Sequence, residues 1–129
     1  MNPGRVALTA AIATVVFWGL KALAIWSAGG LDRSALEGPL FALGLVSLLV
    51  TFAALGVHVA RSRPVWQRVV GAVAAVVIGV LVFLVVEEAA SSLVAESAGW
   101  VKEEVGLWVA GILVLVLAVL LTRPRSASA

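Results

Sequence analysis

Residues 61–88 read RSRPVWQRVVGAVAAVVIGVLVFLVVEE. Three arginines (Arg61, Arg63, Arg68) lead into the uncharged run Val69–Val86, and two glutamates (Glu87, Glu88) close it. A helix rises 1.5 Å per residue, so about 20 apolar residues cross a hydrocarbon core about 30 Å thick. Val69–Val86 is therefore a membrane span with one basic end and one acidic end.

The same sign pattern holds in both directions along the chain. Three more apolar runs, Val6–Ala28, Leu40–Ala60 and Val105–Thr122, are long enough to span. Arg5, the Arg61–Arg68 loop, Arg123 and Arg125 fall on one side of the four runs. All seven acids (Asp32, Glu37, Glu87, Glu88, Glu96, Glu103, Glu104) fall in the two connections on the other side. Only Arg33 and Lys102 are basic there, and Lys21 lies inside the first run. Cytoplasmic loops carry the excess of Lys and Arg. The expectation is a multi-pass protein of the cell (cytoplasmic) membrane with both termini cytoplasmic.

The predicted fold class is all-α, a four-transmembrane-helix antiparallel bundle forming a single membrane domain over 1–129. Its spans are expected at about 6–28, 38–60, 69–88 and 101–122, with a disordered cytoplasmic tail at 123–129. The chain is 63% apolar and 12% charged, well below the one-quarter charged of a typical soluble domain. The first run exceeds the 7–15-residue core of a signal peptide and holds Lys21, so it reads as a span. Gly29-Gly30 should stop it. Ser34-Ala35-Leu36-Glu37 has the form of a capping box for the second helix. The third helix is expected to run past the membrane through Ala95 and to break at Glu96–Gly99.

The chain has no cysteine and a single histidine, His58. Thiolate chemistry and a bis-histidine haem are thereby excluded, and no nucleophile–base set, phosphate loop or metal-ligand cluster is legible. No cofactor, no metal and no catalysis are expected. The net charge of +2 follows the topology and is no sign of nucleic-acid binding.

Two features stand out inside the membrane. Gly71, Ala75 and Gly79 form a small-residue row on the third span, and Gly44, Ser47 and Thr51 begin a similar row on the second. These stripes are expected to pack on each other or on a partner helix. The second feature is Lys21, about 22 Å along the first span. A charge at that depth faces a bundle interior or a cavity and needs a counter-ion. Glu87 lies about 27 Å along the parallel third span, so a Lys21–Glu87 pair is expected, with Glu88 as the alternative partner. Trp18 is expected to face lipid or fill the core.

Two functions follow. One is a non-catalytic accessory or structural subunit packing in the bilayer with itself, as a homo-oligomer, or with another membrane protein. The other is a small transporter or channel using the Lys21–Glu87 site near the outer face, where a fixed cation suits an anionic solute.

Overall fold

A computed structural model describes residues 2–29, 35–94 and 99–123, with Trp100 and Glu103 as backbone only. The chain forms four α-helices: α1 (Pro3–Ala28), α2 (Glu37–Val59), α3 (Val65–Ser92) and α4 (Trp100–Thr122). All four hold a stretch long and apolar enough to cross a membrane. They form a multi-pass bundle in which α1 packs on α2 and α4, and α3 packs on α2 and α4. The helices alternate in direction. One end of the bundle gathers Arg5, Arg61, Arg63 and Arg68, and the other gathers Glu37, Glu87 and Glu104.

Each helix boundary has a local cause. Asn2 caps α1, its side-chain oxygen accepting from the Gly4 amide at 2.7 Å, and Pro3 supplies a helical φ at the first position. Gly29 ends α1 in the left-handed region (φ 87°), which a side chain would strain. The Ser34 half of the expected capping box lies outside the described residues, as do the Glu96–Ala98 break and residues 124–129 of the tail.

α3 departs from the expected bounds at both ends. It begins at Val65, directly after Pro64, and stops at Ser92, short of Ala95. At that end the Lys102 Nζ donates to the carbonyls of Ser91 and Val94, both at 2.9 Å. The Ser91 carbonyl also accepts from the Val94 amide at 3.2 Å, and a cation at this end complements the helix dipole.

The core follows a 3–4 spacing. Ala7, Ala11, Thr14, Trp18 and Ile25 are buried along α1, Gly44, Leu48, Thr51 and Leu55 along α2, and Leu107, Ala110, Val114 and Ala118 along α4. Such rows make the knobs-into-holes seam of an antiparallel bundle. Thr14 and Thr51 enter it without a polar penalty, because their hydroxyls donate to Ala10 and Ser47 carbonyls one turn back.

Trp18 is 2% exposed and sits at the centre, so it fills the core. Its indole stacks with Phe41 of α2 at 6.2 Å and meets Phe83 of α3 at 5.6 Å. Nε1 donates to the Phe41 carbonyl at 3.4 Å. α3, by contrast, buries only Phe83 among its described residues.

Candidate functional site: an ion pair beside a chamber at the acidic end

Lys21 follows Trp18 by three residues on α1, so it continues the buried row one turn nearer the acidic end. Its Nζ meets Glu104 Oε1 of α4 at 2.6 Å, with the side chains 13% and 2% exposed. The ammonium also lies over the Phe41 ring, 5.2 Å from its centroid. A desolvated cation gains from an aromatic face in addition to its counter-ion. The lysine is thus held by α4 and α2 together.

The expected Lys21–Glu87 pair is corrected here. α1 and α3 stand diagonally and make no backbone approach, whereas α1 and α4 are neighbours. Level along the membrane normal permitted Glu87; lateral adjacency selects Glu104. Glu87 takes no hydrogen bond or ion pair from the described residues, and Glu88 is exposed.

Glu87 nevertheless belongs to the same site. A chamber of about 640 Å³ lies between the acidic-end halves of α2 and α3 and is lined by Lys21, Glu37, Glu87 and Glu104. Its remaining lining is apolar, with Phe41 and Phe83 over the aromatic core. Gly106 of α4 makes room for Glu87, since a Cβ there would fall 2.7 Å from the Glu87 carbonyl oxygen. The chamber's charged lining is the Lys21–Glu104 pair together with the Glu37 and Glu87 carboxylates. The opening is more open than enclosed, and its few polar groups converge on an otherwise apolar lining. Glu104 neutralises the lysine, and the Glu87 carboxylate faces the same opening. Among the described residues, no three His, Asp or Glu side chains gather as a metal-holding group.

The small-residue rows divide between two interfaces. Gly71, Ala75 and Gly79 of α3 pack against α2, but at Gly56, Ala60 and Phe52. Gly44 faces the other way, onto the Trp18 indole of α1. Thr51 is buried, and Ser47 donates to the Leu43 carbonyl. The Gly44–Ser47–Thr51 row is therefore not the surface that receives α3. Gly56 is the residue sequence reasoning missed; its spacing of four from Phe52 and Ala60 was the available signal.

Comparison with known protein families, characterised proteins and solved structures returns no match for this chain.

Proposed function

We propose that the protein is a small, non-catalytic solute carrier of the cell membrane that binds a monovalent organic cation from the side of its acidic end. The arginine bias supports an orientation with that end outward and both termini cytoplasmic.

The chamber beside Lys21 carries the reading. Packing alone accounts for Lys21 and Glu104, since a paired charge can fix helix register. It gives no reason for an unpaired Glu87 at the α3–α4 crossing, facing an opening of about 640 Å³. Ionisable groups set within membrane helices characteristically mark substrate paths. A cation carrying an apolar body satisfies both parts of the lining: its charge meets Glu87 and its body rests on Phe41, Phe83 and neighbouring aliphatic side chains.

The test is calorimetric binding of tetraethylammonium to the purified protein, followed by uptake into liposomes. Binding is expected, and Glu87→Gln should weaken it by about tenfold or more, as loss of a partner charge does. Benzoate should not compete. Failure of tetraethylammonium to bind, or displacement by benzoate, would overturn the proposal.

The light burial of α3 supports a second reading, a subunit that presents this helix to another membrane protein. A stoichiometric partner retained through mild detergent extraction, together with no solute binding, would favour it.

A further inference from the structure

At the opposite end of the bundle, α3 and α4 part. They meet at Gly106 and Glu87, and beyond this crossing a groove of about 490 Å³ opens sideways between them. Its floor is α2 (Phe52, Leu55, Gly56), and its walls carry no ionisable side chain. Along α3 it runs from Val86 to Gly71, about 22 Å by helical rise and longer than the roughly 15 Å of one leaflet's hydrocarbon. Apolar walls over that length suit a hydrocarbon tail.

The groove ends among cations. Arg68 precedes Gly71 by one turn on the same face of α3, and its Nε is buried with no hydrogen-bond partner. Arg61 and Arg63 stand in the adjoining connection, and no acidic residue lies in that part of the sequence. α3 also starts after Pro64 without a side-chain cap. Arginines next to Ala60 and one turn before Gly71, at the end of an apolar groove, suit a ligand with an anionic head and a hydrocarbon tail.

We propose that this groove is a specific site for one anionic phospholipid, an acyl chain between α3 and α4 and the phosphate at Arg68. It shares only Phe83 with the lining of the acidic-end chamber and does not depend on the solute reading.

Native mass spectrometry of the protein in neutral detergent tests it, with phosphatidylglycerol, phosphatidylcholine of the same chains, and glycerol phosphate as probes. One phosphatidylglycerol per chain is expected, preferred over phosphatidylcholine by about tenfold or more. Arg68→Gln should reduce that preference roughly fivefold, the effect of one arginine near an anionic surface. Ala74→Phe, an exposed position in the groove wall, should weaken both lipids and leave helicity by circular dichroism unchanged. Glycerol phosphate should not bind. Equal retention of the two lipids would overturn the proposal. So would an unchanged preference in Arg68→Gln, lipid binding unaffected by Ala74→Phe, or a second copy of the chain seated in the groove in place of lipid.

Discussion

Gly44 of α2 lies against the pyrrole side of the Trp18 indole, so close that a Cβ at Gly44 would overlap the ring. This approach sets the spacing of α1 and α2 and leaves the indole free to reach Phe41 and Phe83. We predict that Gly44→Leu destabilises the bundle by about 1–3 kcal/mol through overpacking. Trp18→Leu in the same chain should restore part of the loss. Unfolding in mixed micelles measures both, and additive effects of the two substitutions would refute the contact.

The Lys21–Glu104 pair should show the asymmetry of a buried ion pair. Glu104→Gln strands an ammonium and is expected to cost about 3 kcal/mol. Lys21→Met combined with Glu104→Leu removes both charges and should recover most of that stability. A double-mutant cycle with a coupling near zero would show that the two side chains do not interact.

Because the chain lacks cysteine, paired substitutions can report helix neighbours without background. A Cβ at Gly71 would lie 3.3 Å from that of Ala60, near the separation across a disulfide. Ala60→Cys with Gly71→Cys should cross-link within one chain on mild oxidation. Gly19→Cys with Gly79→Cys, on the diagonal helices, should not. The opposite pattern on a denaturing gel would require a different helix order.

Orientation can be read independently of packing. Ser62→Cys should resist a membrane-impermeant maleimide in intact cells, whereas Ser92→Cys should label. Labelling of Ser62→Cys in intact cells would invert the proposed topology.

Much of this bundle was legible because four apolar runs separated by opposite charges leave few arrangements open in a bilayer. Which helices lie side by side was not. Hydropathy fixes how deep Lys21 lies, but neighbours are chosen by side-chain shape, here Trp18 fitting Gly44 and Gly56 fitting Gly71. Glu87 was placed at a suitable depth and assigned the wrong role, because depth carries no information about the diagonal of a four-helix ring. The role of Lys102 was equally hidden. It reads as a surface charge until the carbonyls of Ser91 and Val94 turn toward it.

Phe83 being the one buried residue of α3 has a consequence for forced unfolding. The first, second and fourth helices hold most of the buried seam, so the third should resist least once the helices between it and the pulled terminus have left. Drawn through the membrane from either terminus, the molecule should yield this rod at lower force than its companions.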